Sequence, residues 1–230
     1  MIRSTKPNAI VLLSGGVDSS TLLYQLAYED YDVTALSVDY GQRHVRELAA
    51  AEAVAHRAGV PLMHTAVGRA LAPLFAMANS SQVGRQVAVP FGHYAAETMK
   101  ATIVPNRNML LLSIAGALAE AIDARVIAYA AHAGDHPIYP DCRPEFYASL
   151  NEAFGHATEG RVALVAPFGR ITKADIVARA HVLRVPLALT YSCYMGGEQH
   201  CGRCGTCVER REAFQLAGVD DPTRYEDVAR

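Results

Sequence analysis

Two groups of residues carry chemistry by type and spacing alone. The first is Ser14-Gly15-Gly16-Val17-Asp18-Ser19-Ser20, which follows the apolar run 9–13 (AIVLL) and precedes Leu22, Leu23 and Leu26 at helical spacing. A glycine turn between a strand and a helix leaves backbone N–H groups unpaired and turns the positive end of the helix dipole towards them, which favours an anion, phosphate above all. The hydroxyls of Ser14, Ser19 and Ser20 add uncharged donors, and Asp18 either caps the helix or fixes the turn. No lysine stands in the turn, so a Walker A loop is excluded, and the spacing also fails G-x-G-x-x-G. The second group is Cys193, Cys201, Cys204 and Cys207, spaced C-x7-C-x2-C-x2-C. Four thiolates so placed reach one tetrahedral zinc, with no open position left for catalysis, so the metal is expected to be structural. An iron-sulfur cluster is the competitor, but the Cys-Pro continuation of ferredoxin motifs is missing: Val208-Glu209-Arg210-Arg211 follows instead. His200 reads as a solvated neighbour of this cluster, not a ligand.

These groups need a frame. The run 9–13 reads as a buried parallel strand, and Asp18 or Ser19 opens a helix that closes at Tyr31-Asp32 before strand character resumes over 33–38. A second helix runs from about Arg43 to Gly59, and 61–65 is a third strand. From 67 to 107 periodicity fades apart from a short helix at 70–78; the stretch is expected to be a long excursion over the ligand face of the sheet, with a disordered insertion as its alternative. Then come a helix at 109–122, a strand at 125–130, a polar loop at 132–143, a helix at 144–157, a strand at 162–165 and a helix at 172–183 opened by a Thr172/Asp175 capping box. Strands alternating with helices predict an α/β fold with a doubly wound parallel sheet. Residues 1–185 form that unit, and 186–230 a small metal-bearing subdomain.

Composition sets the outer bounds. The chain has 230 residues, 51% of them hydrophobic and 19% charged, which excludes disorder and small disulfide scaffolds. With 21 Lys+Arg against 23 Asp+Glu there is no global positive field to hold duplex nucleic acid, and no stable nucleic-acid binding is expected. No apolar run approaches the roughly 18 residues of a spanning helix, and residues 1–7 lack the apolar core of a secretory signal, so a cytoplasmic protein without membrane contact is expected.

The turn resembles the PP-loop, S-G-G-x-D-S, of enzymes that cleave ATP between the α and β phosphates to adenylate a substrate. Together with the four-cysteine site, it makes the chain resemble the 7-cyano-7-deazaguanine synthase family (QueC, preQ0 synthase). Further landmarks agree in order: Asp39-Tyr40-Gly41-Gln42-Arg43-His44, Val104-Pro105-Asn106-Arg107-Asn108, Tyr139-Pro140-Asp141-Cys142-Arg143, Thr172-Lys173-Ala174-Asp175 and Ser192-Cys193-Tyr194. The departures are Asn106, where many members have glycine, and His132-Ala133-Gly134-Asp135-His136, which replaces an Asp-Tyr-Ser-Gly type of segment.

The resemblance implies conversion of 7-carboxy-7-deazaguanine and ammonia to the nitrile through adenylated acid and amide, with release of AMP and pyrophosphate. It implies ATP with Mg2+ as cofactor, one structural zinc and a homodimer. ATP would lie along Leu13, Ser14, Gly15, Gly16, Val17, Asp18, Ser19, Ser20, Thr21, Leu22 and Leu23, with Ser14, Asp18 and Lys173 catalytic. Asp39, Arg43, His44, Arg107, Asp141 and Arg143 are the candidates for substrate contact; His44 could accept a proton or be a plain buried histidine, and Lys173 could meet phosphate or be a solvated first-turn lysine. Cys142 reads as a small buried thiol, since adenylation needs no covalent nucleophile. Competing readings are a PP-loop tRNA sulfurtransferase, which would carry RNA-binding surface, NAD or GMP synthetase relatives, which would not explain the cysteines, and a non-catalytic module binding ATP and zinc.

Overall fold

The computed structural model describes residues 6–84 and 86–226. Residues 1–5, which carry most of the segment on which the absence of a secretory signal is read, lie outside the described residues. Five strands, β1 (Asn8–Leu12), β2 (Asp32–Asp39), β3 (Leu62–Ala66), β4 (Val126–Ala128) and β5 (Ala163–Val165), form one sheet in the order β3-β2-β1-β4-β5. Every pairing is parallel, with Ala9 opposite Val33 on one side and Val126 on the other. The helices are α1 (Val17–Tyr28), α2 (Arg46–Ala58), α3 (Gly68–Phe75), α4 (Ala96–Met99), α5 (Arg107–Ala121), α6 (Pro144–Ala157), α7 (Lys173–Val182) and α8 (Gly205–Ala217).

The apolar strand 9–13 is buried on both faces because its side chains alternate between two cores. Ala9, Val11 and Leu13 join Leu22, Leu23, Val54, Ile176 and Phe214 on one side. Ile10 joins Leu36, Leu112, Ala115 and Ile127 on the other. The period-2 alternation of a strand does this without any polar face, as parallel sheets between helices require. The doubly wound architecture expected from the sequence is therefore present. The chain winds outward from β1 to β3 and then returns to place β4 on the other side of β1, so the order reverses between β1 and β4. A crevice opens at the carboxyl ends of the strands at such a point. Helix α8 closes against this body, with Ala213 and Phe214 in the same core as β1.

Several boundaries differ from the sequence reading for physical reasons. Helix α1 starts at Val17 with Gly16 as its cap, so Asp18 and Ser19 lie inside the first turn. Neither is free to cap: Ser19 Oγ accepts from Ser14 N at 3.1 Å and Asp18 pairs with Lys173. Helix α2 starts at Arg46 instead of Arg43, because Arg43 N donates to Gln82 O at 2.7 Å and ties the turn to the excursion. Strand β4 is shorter than 125–130, and Tyr129, Ala130 and Ala131 beyond it line a cavity. The excursion is ordered where described: Val83 bridges Gln42, Phe91 bridges Cys204, and Tyr94 reaches the cavity over the sheet end. Asn106 caps α5 at φ 54°, ψ 29°, a left-handed conformation in which asparagine is the tolerated alternative to glycine. That accounts for this departure from the family pattern. No helix among the described residues is long and apolar enough to cross a membrane.

Candidate functional site

A cavity of about 210 Å³ occupies the crevice. Its floor is the glycine turn. Gly15 stands at φ +85°, and a Cβ there would meet Glu47 O at 2.3 Å and Ala51 N at 2.6 Å, so only glycine lets the turn lie against the first turns of α2. On its other side Tyr191 N donates to Gly15 O at 2.9 Å. Within the turn the Ser14 and Ser19 hydroxyls meet at 3.0 Å. The first-turn N–H groups of α1 lack intrahelical partners by construction and open on this space. Leu13, Ser14, Gly16, Val17, Asp18 and Ser19 line the cavity. Gly15, Ser20, Thr21, Leu22 and Leu23 do not: Thr21 Oγ1 donates to Val17 O at 2.7 Å, and both leucines are core residues.

Beside the turn lies a charged cluster that joins three distant parts of the chain. Lys173 is the first residue of α7, positioned by the Thr172/Asp175 box in which Asp175 N donates to Thr172 Oγ1 at 3.2 Å. It is no solvated first-turn lysine. Its Nζ lies 2.5 Å from Asp18 Oδ2 and 3.5 Å from Glu209 Oε2, with all three side chains largely covered. Burial works against the ammonium, but Asp18 and Glu209 outweigh it and raise the lysine pKa, so the charge is held. Glu209 is pushed up by burial, with Lys173 opposing. Asp18 Oδ1 is buried without a partner among the described residues. His132 stands behind this cluster, Nε2 3.6 Å from Asp135 Oδ2 and 3.9 Å from Glu209 Oε1. Its Nδ1 accepts from Gly134 N at 3.1 Å, which leaves Nε2 as the N–H that faces the two carboxylates.

The far end of the cavity is aromatic. Tyr40, Tyr94, Tyr129, Tyr139 and Tyr194 wall it, with Arg107, Asn108 and Cys142. Tyr94 OH donates to Asp135 Oδ1 at 3.1 Å, while Tyr139 OH and Thr102 Oγ1 lie 2.7 Å apart. Burial pushes the Tyr40 phenol up to about 12 and raises the Cys142 thiol, which accepts from Asn108 Nδ2 at 3.2 Å and stays an inert buried group. Of the other sequence candidates, Arg107 and His44 line the cavity and the rest do not. Asp39 Oδ1 accepts from Gly41 N at 2.9 Å and shapes the turn after β2. Arg43 donates to Gly84 O and Val87 O, anchoring the excursion. Asp141 Oδ2 accepts from Asn108 N at 2.9 Å and so caps α5, and exposed Arg143 donates to His136 O.

The four cysteines come together as expected. Their sulfurs all lie within 4.8 Å of one another, Cys193 to Cys204 at 4.0 Å, and all four residues are buried. Tetrahedral Zn–S bonds of about 2.3 Å set S–S distances near 3.8 Å, so the residues fit that ion. His200 is buried, not solvated. Its Nε2 accepts from Ser192 N at 3.0 Å, and burial lowers it to about 4, so it is a neutral packing group outside the ligand set.

A family model described as "Queuosine biosynthesis protein QueC" matches residues 8–218. The chain belongs to this family. The 7-cyano-7-deazaguanine synthases of Brucella anthropi and Brucella ovis are each 51% identical to it over 220 residues, covering 95% of this chain and 93% of theirs. Among solved structures, NMN synthetase from Francisella tularensis superposes with a TM-score of 0.50 at 16% identity, over 94% of this chain and 78% of that one, a likeness of fold alone.

Within this QueC-family site, sequence reasoning missed Glu209, His132 and Asp135 as neighbours of Lys173, and the tyrosine wall. For Glu209 a signal existed. It follows Cys207 by two residues on a helix whose start the four-cysteine cluster fixes, so its direction was constrained. The tyrosines come from five separate segments, and no spacing rule gathers them.

Proposed function

We propose that the protein is an ATP-dependent C–N ligase that converts 7-carboxy-7-deazaguanine and ammonia to 7-cyano-7-deazaguanine. The observation that carries this reading is the continuity, in one cavity, of the glycine turn and the Lys173–Asp18–Glu209 cluster with a tyrosine-walled end suited to a planar base. The matching relatives are named for the same product.

A carboxylate resists ammonia until one oxygen becomes a leaving group. The first ATP supplies this: a carboxylate oxygen attacks the α-phosphorus, pyrophosphate departs, and ammonia displaces AMP to give the amide. A second ATP adenylates the amide oxygen, and loss of AMP with the nitrogen proton leaves the nitrile. The turn's N–H groups and the Ser14 hydroxyl would bind the phosphates, and the Lys173 ammonium would balance charge on the departing pyrophosphate. Mg2+, when bound, supplies further neutralisation of that charge. Asp18, with a buried unpartnered oxygen, and Glu209 would hold it. Arg107 at the aromatic end is the cation that would meet the acid or its activated form. The cysteines would hold one structural zinc that fixes α8. Residues 1–185 would constitute the ATP-binding unit and 186–230 the zinc-bearing part of a cytoplasmic homodimer without stable nucleic-acid contact.

Purified protein given 7-carboxy-7-deazaguanine, ammonium and Mg-ATP should yield the nitrile by mass spectrometry together with AMP and pyrophosphate, and Asp18→Ala should abolish both while the fold persists. Protein inert under these conditions, or normal turnover by Asp18→Ala, overturns the assignment.

A further inference from the structure

We infer that His44, oriented by Glu47, is the proton acceptor of the nitrogen half of the reaction. This rests on the synthase reading and adds a role to it. His44 is 4% exposed, lines the cavity and packs its ring against Tyr194 at 5.1 Å. Its Nε2 lies 3.2 Å from Glu47 Oε2, and Glu47 Oε1 accepts from Gln42 Nε2 at 2.9 Å. Gln42 is locked in turn by Tyr40 N, which donates to its Oε1 at 2.9 Å. The carboxylate therefore holds the tautomer with hydrogen on Nε2 and leaves a lone pair on Nδ1. That Nδ1 is buried and has no partner among the described residues. Leaving such an atom unpaired is costly, so the position implies a donor brought by a ligand.

The dyad also adjoins the phosphate turn, since Gly15 packs directly on the Glu47 backbone. A base oriented by a carboxylate and opening on a reaction cavity is the arrangement of proton-transfer sites generally. In the last step the adenylated amide, R–C(=NH)–O–AMP, loses its N–H proton to Nδ1. The N–H electron pair becomes the third C–N bond, and the C–O bond to AMP breaks with its pair leaving on AMP. No oxidant or further reactant is needed.

The test separates the half-reactions. Acid-dependent exchange of labelled pyrophosphate into ATP, measured without ammonium, reports the first adenylation alone. His44→Gln retains a donor for Glu47 but removes the imidazole nitrogen that carries the free lone pair. Exchange should stay within about 3-fold of the parent while nitrile formation falls roughly 10²- to 10³-fold. Glu47→Gln, which keeps an acceptor for Nε2 but loses the charge, should keep exchange and lose about 10-fold in nitrile formation. If His44→Gln fails to fold, judged by loss of exchange and of bound zinc together, Glu47→Gln decides. Equal loss of exchange and nitrile formation, or no loss of either, in the deciding variant overturns the inference. Absence of acid-dependent exchange in the parent protein would instead overturn the synthase reading.

Discussion

Gly15→Ala tests whether the turn is pressed against α2 as the geometry says. The new methyl carbon would stand 2.3 Å from Glu47 O, 2.6 Å from Ala51 N and 3.0 Å from Ala50 Cβ. Two of these are backbone atoms of a helix, so no side chain can swing away. Either the turn or α2 must retreat by most of an ångström. An L-residue at φ +85° adds about 1–2 kcal/mol, and overpacking a rigid contact about 1–3 kcal/mol, giving a loss of about 2–5 kcal/mol. At roughly 2–4 °C per kcal/mol for a chain of this size, the melting temperature should fall by the order of 10 °C. Gly16→Ala is the control, because its Cβ would meet nothing nearer than Ser14 Oγ at 3.5 Å. Thermal unfolding of the two variants beside the parent reads the difference, and ATP-dependent AMP release shows whether the turn still binds. A Gly15→Ala protein that melts with the parent and turns over normally would mean that the turn does not rest on α2, and the placement of Glu47 beside the glycine turn would go with it.

Cys204→Ser should lower zinc from one per chain and reduce the yield of folded protein, because metal binding is coupled to folding; metal analysis reads it, and a stable, metal-free, active variant contradicts it. Cys142→Ser should keep turnover within a few-fold, since the buried thiol accepts a hydrogen bond from Asn108 Nδ2 and is otherwise packed in the core, whereas loss of a covalent intermediate in trapping experiments would contradict the inert reading. Asp221→Asn should cost about 3 kcal/mol near pH 7 by leaving the buried Arg210 guanidinium without its charge partner. Burial raises the Asp221 pKa but Arg210, with hydrogen bonds from Tyr225 and Thr223, outweighs it for a net depression, so its stabilisation is present above the ordinary carboxylate range and fades as pH falls through the depressed value. Denaturant titrations should therefore show the gap between variant and parent closing in acid, and a gap independent of pH would refute the ion-pair account.

What the sequence disclosed was local. The glycine turn, the cysteine spacing and the Thr172/Asp175 box are contiguous patterns whose chemistry follows from a few neighbours, and each stands where its pattern put it. The alternating strands fixed the sheet class for the same reason. The site itself is assembled from afar. Lys173 meets Asp18 across 155 positions, and nothing near Lys173 in the chain distinguishes it from a solvated lysine. Asp39, Arg43, Asp141 and Arg143 look like ligand-binding groups by type, yet each is engaged by backbone close to it in space. An Asp or Arg in a loop finds a turn N–H or a carbonyl as readily as a substrate, and sequence alone does not choose.

The cysteine cluster is tied through α8 to the cavity that the proposed reaction would use. That helix is capped by Cys204 and carries Cys207, then Glu209, then Arg210, so fixing its start fixes all of them. Arg210 is 1% exposed and donates to Thr190 Oγ1 at 2.8 Å and Ser192 Oγ at 3.3 Å, gripping the strand of chain that leads to Cys193. Between those two contacts lies Tyr191, whose N–H holds Gly15 O. The four-cysteine cluster, the guanidinium and the glycine turn are thus consecutive links. A shift of α8 by a fraction of an ångström would move Glu209 against Lys173 and loosen the turn from the opposite side at once. Buried, rigid packing transmits such a shift instead of absorbing it, so under the proposed function a four-thiolate ion with no open coordination position would still bear on how phosphate is held.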